Sequence, residues 1–205
     1  MDPIAAMRWI DPNQPPRKPT REMLVRAGVK PRHMNVTLAE ISDELPHKAL
    51  LKEYLDNIVP NALKGRGLNL WGPFGSGKTA SAVLAMRWVM AHHGRAWIVH
   101  AWDIPGIFIE DRPYDETMTM VDRLGTVDLL VIDDLTPRQG SPFNTEVIER
   151  VIRERYDLIR STIITTNLNP DQFKQYVGES CYTITDEFLP RLKIAGKNWR
   201  EGEGS

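Results

Sequence analysis

The chain has 205 residues, 41% hydrophobic and 26% charged, which suits one globular domain with a short appendage and leaves little room for a second domain. Its one cysteine, Cys181, excludes an internal disulfide and any zinc or iron–sulfur site built on thiolates. A formal net charge of −1 gives no whole-molecule attraction to nucleic acid, so any DNA contact has to come from a local patch.

Residues 1–33 carry seven Lys or Arg against Asp2, Asp11 and Glu22, a net of +4, and the remainder is therefore −5. Between residues 12 and 20 stand Pro12, Pro15, Pro16 and Pro19, with no other apolar residue, so a packed helix or strand is not expected there. The reading is a flexible, basic, Pro-rich arm over residues 1–27, with Trp9 as a docking element, followed by a domain over 28–205. The N-terminus has no apolar signal core, and the longest apolar run, Ala82 to Met86, is far below the roughly 18 residues of a membrane span. A cytoplasmic protein with no membrane partner is expected.

Pro46 suits the first turn of a helix whose apolar face is Leu50, Leu51, Tyr54, Leu55 and Ile58, ended by Pro60, Gly65 and Gly67. A short strand, Leu68 to Trp71, then runs into a Gly-rich loop. The helix from Lys78 buries Val83, Met86, Val89 and Met90, and Gly94 is its expected C-cap. His92 and His93 at its end suit the helix dipole better than a metal. A strand over 95–101 follows, then a helix capped by Asp103 and carrying Ile107, Phe108 and Ile109, then a helix over 115–124. Val127 to Ile132 is a buried strand, and Asn144 or Thr145 caps a helix to about Arg160 with Val147, Ile148, Val151, Ile152 and Tyr156 inward. Thr162 to Thr166 is the next strand. Alternation of this kind predicts a parallel sheet with helical crossovers.

Gly72, Pro73, Phe74, Gly75, Ser76, Gly77, Lys78 and Thr79 match G-x-x-x-x-G-K-[ST], between a strand and a helix as that motif requires. Glycines let backbone N–H groups wrap an anionic oxygen, and the helix from Lys78 turns its positive end toward it. Lys78 is the expected partner of the β- and γ-phosphates of ATP, and the Thr79 hydroxyl a hard oxygen ligand for Mg²⁺. Asp133 and Asp134 end an apolar strand 55 positions beyond Lys78, room for two strand-helix units. Asp133 is the expected Mg²⁺ partner and Asp134 the base that polarises water. An Asp at the second place is one methylene shorter than a Glu, so slow ATP hydrolysis is expected.

Three further segments resemble the helicase-loader branch of the AAA+ ATPases, the DnaC and IstB group. They are Leu129 to Leu135 (LLVIDDL), Arg155-Tyr156, and Thr162 to Leu168 (TIITTNL), and similarity extends over about 28–200. The resemblance implies an α/β, three-layer P-loop NTPase with a central parallel five-stranded sheet and a reduced or absent C-terminal lid. It implies that Asn167 is the sensor amide, on a strand lying between those of the Gly-rich loop and the acidic pair, and that the backbone near Gly28-Val29-Lys30-Pro31-Arg32 lies by the adenine. Asp186 to Leu192 is similar to the family's helix ending in Arg-Leu, which makes Arg191 the candidate arginine finger, acting in trans in a homo-oligomer. Arg200, in Gly196-Lys197-Asn198-Trp199-Arg200, is the alternative. Phe108, Arg112 and Tyr114 are the candidates for single-stranded DNA. The function implied is an ATP-dependent loader of a replicative helicase; a transposition helper and a nucleotide-gated adaptor without productive turnover are the rivals.

Overall fold

The computed structural model describes residues 9–41, 45–109, 113–137 and 142–195. Five parallel strands, β1 (Leu68–Trp71), β2 (Ala96–His100), β3 (Leu129–Asp133), β4 (Ser161–Thr166) and β5 (Arg191–Lys193), form one sheet in the order β2-β3-β4-β1-β5. Helices α1 (Arg21–Arg26), α2 (Pro46–Asp56), α3 (Ile58–Leu63) and α4 (Lys78–Ala91) precede the second strand. Then come α5 (Ile104–Ile109), α6 (Tyr114–Thr126), α7 (Pro142–Asp157) and α8 (Pro170–Phe188).

The strands sort their side chains with period two. Leu129, Val131 and Ile163 join the core beneath α2, α3 and α4, while Leu130, Ile132 and Ile164 join the one beneath α5, α6, α7 and α8. Each face of the sheet is thus covered by helices, which is why β3 reads as an unbroken apolar run. Among the described residues no helix is long and apolar enough to cross a membrane.

Several local expectations are corrected. The arm over 1–27 is not free from residue 9 onward. Ile10, Leu24 and Ala27 are buried in the first core, the Arg95 guanidinium lies 3.6 Å from the Trp9 ring centroid, and the Asp11 and Arg17 N–H groups donate to the carbonyls of His92 and Ala91. Prolines without N–H groups do not oppose this packing, because an extended segment can be held by its side chains and a few donors. Residues 1–8 lie outside the described residues. Gly28 (φ +85) then lets the chain cross the edge strand: a Cβ there would stand 2.5 Å from the Ile98 carbonyl oxygen, and the Ile98 N–H donates to the Ala27 carbonyl.

Pro60 does not end a helix but sits in the first turn of α3, where its missing N–H has no intrahelical partner to lose. His93, not Gly94, takes the left-handed position after α4 (φ 67), with Gly94 N–H returning to the Val89 carbonyl. Helix α7 starts at Pro142, so Asn144 and Thr145 lie within it. Arg155 is fully buried on α7 and donates to Leu124, Gly125, Val127 and Ser161 carbonyls and to the Thr162 hydroxyl, joining the end of α6 to the start of β4. Burial and the nearby Arg160 charge pull its guanidinium down to about 9. The C-terminal region where a lid would follow lies outside the described residues.

Candidate nucleotide site

The loop after β1 has the backbone that its glycines allow: Gly72, Gly75 and Gly77 have φ of 151, 72 and 95. Gly72 must be glycine for a second reason, since a Cβ there would lie 2.3 Å from the Ile194 carbonyl oxygen, just past β5. The Ser76 hydroxyl is buried with no hydrogen-bond partner among the described residues, an orphaned polar atom inside an anion cradle. Phe74 is 70% exposed, so its ring adds little to the packing of the loop. Lys78 is buried, and its ammonium donates to the Gly72 and Pro73 carbonyls at 2.9 and 2.7 Å and to Asn167 Oδ1 at 2.7 Å.

Strand order brings the distant residues to this loop. Because β4 lies between β1 and β3, Asn167 at its end reaches both the lysine and the acidic pair, and its Nδ2 faces Asp134 Oδ1 at 3.4 Å. Asp133 Oδ1 accepts from the Thr79 hydroxyl at 2.9 Å and from the Thr165 hydroxyl at 2.7 Å. Asp134 adopts φ 57, a left-handed conformation that Asp tolerates better than most residues, and its N–H donates to Thr165 Oγ1 at 2.8 Å. Thr166 donates to the Leu135 carbonyl and the Leu135 N–H to the Thr165 carbonyl. The two threonines thus fasten the carboxylate-bearing turn to β4.

Two residues here were not singled out from the sequence, Thr165 and His100. His100 ends β2, in register with Asp133, and its Nε2 is 3.4 Å from Asp134 Oδ2. Its Nδ1 accepts from the Trp102 N–H at 3.4 Å, which puts the proton of the neutral ring on Nε2, facing the carboxylate. Side chains from the ends of two strands therefore bracket Asp134. A lone His after a Trp-Ile-Val run carries no local signal; only the β2–β3 register reveals it.

These groups line one cavity of about 1210 Å³, larger than the ~300–1,000 Å³ common for small-molecule sites. Its lining also includes Trp102 and Met120, and Gly28, Val36, Ile41, Leu45 and His47. Thr79 and Asp133 offer two hard oxygens side by side. Among the described residues there is no group of three or more His, Cys, Asp or Glu able to hold a metal. This donor set fits Mg²⁺, which keeps water and phosphate oxygens for its other positions.

Arg191 is placed differently from its expectation. Pro190 ends the helical stretch, and Arg191 starts β5, paired in register with Asn69 on β1 upstream of the phosphate loop. Its Nη1 meets Asp186 at 2.7 Å and its guanidinium lies 4.1 Å from the Tyr182 ring centroid. It does not line its own chain's cavity. Phe108 packs partly against the second core and Tyr114 is 78% exposed, while Arg112 and Arg200 lie outside the described residues.

A parallel sheet ordered β2-β3-β4-β1-β5, with a phosphate loop after β1, carboxylates after β3 and an amide after the strand between them, defines a P-loop domain of the AAA+ type. Within that class the fold is DnaC-like. The chain superposes on the crystal structure of the DnaC helicase loader with a TM-score of 0.71 and 22% identity, covering 81% of this chain and 100% of that one. On DnaI the values are 0.67 and 19%, over 81% and 95% of the two chains. A replication initiator DnaA bound to AMPPCP and single-stranded DNA matches at 0.65 and 19%, over 82% of this chain and 51% of that one. No protein-family model matches the sequence, and no curated protein sequence does. At these identities the likeness is one of fold.

Proposed function

We propose that this chain is an ATP-dependent helicase loader that binds ATP and Mg²⁺, self-assembles, and helps place a replicative hexameric helicase on single-stranded DNA. The observation that carries this reading is the run of contacts from Lys78 to Asn167, Asn167 to Asp134 and Asp134 to His100, drawn from four separate elements and set beside the Thr79–Asp133 pair. A bare nucleotide-binding loop needs only the first of these groups. Fold likeness to the DnaC loader and to a DNA-bound DnaA supports the replication context.

The γ-phosphate end of ATP lies against Lys78 and Asn167, because Lys78 is the cation at the mouth of the loop and phosphate oxygens replace the carbonyls it now meets. Thr79 and Asp133 would hold Mg²⁺, whose charge offsets that of the phosphates when it is bound. A water between Asn167 and Asp134 attacks phosphorus; Asp134 Oδ takes its proton, and the P–O bond to the leaving ADP breaks. Asn167 Nδ2 donates to that carboxylate and His100 Nε2 lies beside it, and the two hold it in place.

Arg191 is proposed as the group supplied in trans to a neighbouring copy. Its Nε and Nη2 are buried without hydrogen-bond partners among the described residues, so two donors remain for an anion once the side chain turns from Asp186. Because residues 9–29 contribute to the core, helicase capture through the N-terminus is tested by removing residues 1–8 alone.

The experiment is ATP hydrolysis with and without single-stranded DNA, together with capture of the cognate replicative helicase in ATP, ADP and no nucleotide. Wild type is expected to hydrolyse slowly, faster when assembled on DNA, with Arg191→Ala losing only the assembly-dependent part. Absence of hydrolysis in every condition with nucleotide-dependent capture intact would turn the reading to an adaptor. Capture of a transposase in place of the helicase would turn it to a transposition helper.

A further inference from the structure

The mechanism uses the half of the cavity that ends at Asp134 and leaves the other half unassigned. With its phosphates on the loop and the sensor amide, ATP would place its base in the part of the cavity toward α2. The lining there includes Ile41 and Leu45, which lead into α2, and Val83 of α4 also borders the cavity, apolar side chains suited to a flat ring. Lys30 and Arg32 also border the cavity but are exposed. His47, in the first turn of α2, is the buried polar side chain at this end, 3% exposed.

The state of its ring follows from one contact. The Ala195 backbone N–H, just past β5, donates to His47 Nδ1 at 3.3 Å. A backbone N–H can only donate, so Nδ1 is unprotonated and the neutral ring carries its proton on Nε2. Burial favours that neutral ring. Nε2 makes no hydrogen bond to the described residues, nor is it sealed in the interior, as an atom bordering the cavity would not be.

We propose that His47 contacts the base: its Nε2–H donates to a ring-nitrogen acceptor of adenine, making His47 a base-binding residue of the nucleotide site. The inference rests on the nucleotide reading above. Purine rings offer N1, N3 and N7 as acceptors in adenine, whereas guanine N1 carries a proton, so a fixed donor at the Watson–Crick edge would favour adenine. A donor held by β5 also ties base recognition to the strand beside the phosphate loop, since the Ile194 N–H donates to the Trp71 carbonyl.

The test is calorimetric binding of ADP, GDP and the 1-deaza, 3-deaza and 7-deaza forms of ADP to the full chain, in wild type, His47→Asn and His47→Gln. Asn keeps an acceptor where Nδ1 stood, for Ala195, but has no donor at the Nε2 position; Gln places an amide N–H there. Wild type is expected to lose about tenfold in affinity for one deaza form, the value of one hydrogen bond. His47→Asn should lose about tenfold for ADP and no longer distinguish that analogue, with an unchanged melting temperature, and His47→Gln should restore the distinction. Equal binding of ADP and all three deaza forms by wild type would overturn the inference, as would His47→Asn binding ADP like wild type or still distinguishing the analogue. Failure of wild type to bind ADP at all would sink the nucleotide reading itself, and this inference with it.

Discussion

The two ends of the cavity each finish in a histidine whose Nδ1 accepts a backbone N–H. His47 takes the Ala195 N–H on Nδ1, His100 takes the Trp102 N–H on Nδ1, and each turns an Nε2–H inward. What differs is the neighbour. His100 lies beside the Asp134 carboxylate, the proposed base, whereas His47 borders the cavity near the apolar Ile41 and Leu45. Identical ring chemistry thus serves positioning at one end and recognition at the other, and the surrounding strand register decides which.

Substitutions divide along this line. Lys78→Ala should strike both ends at once and lower nucleotide affinity by about a hundredfold or more, because a charge-assisted contact to two phosphates is lost; near wild-type binding by calorimetry would show that the loop does not grip phosphate. Asp134→Asn should cut turnover by about a hundredfold or more while leaving ADP affinity within about twofold, the mark of a group that acts only in the reaction. His100→Phe is expected to slow steady-state hydrolysis by about tenfold with ADP affinity unchanged. A change in affinity with no change in rate would instead place His100 with the base.

The smallest effect is on stability. Burial holds the His47 ring below its ordinary value of 6.5, so the unfolded chain takes up a proton that the folded chain refuses. Its contribution is therefore complete above about pH 6.5 and is lost as pH falls toward the folded value. Melting temperature measured from pH 7.5 down to 5.5 should fall less steeply for His47→Asn than for wild type. Parallel curves would remove His47 from the acid response.

Local pattern made much of the fold legible. The strand, Gly-rich loop and helix from Leu68 to Ala91 form a contiguous unit whose residue types leave few alternatives. Buried strands β3 and β4 are equally plain from their apolar and β-branched runs. The candidate site was legible where single residues announce their chemistry, as Lys78, Thr79, Asp133 and Asp134 do. Thr165 and His100 were not, because their roles arise from partners 32 and 34 positions away that only pairing brings together. The packing of residues 9–27 was hidden for a related reason: Ile10 and Leu24 are too sparse to show periodicity, yet each finds a place in the core. Arg191 was misplaced because Pro190 outweighs the helical likeness of the residues around it.

Lys78 and Asn167 touch directly at 2.7 Å across the groove that a phosphate would fill. An arriving phosphate competes for the same ammonium, so the Asn167 carbonyl loses its donor at the moment the site is occupied. The amide is then free to rotate about its last bond and offer a different face to Asp134. Occupancy of the loop would in this way set the orientation of a single planar group just past β4, a local mechanical record of the bound state.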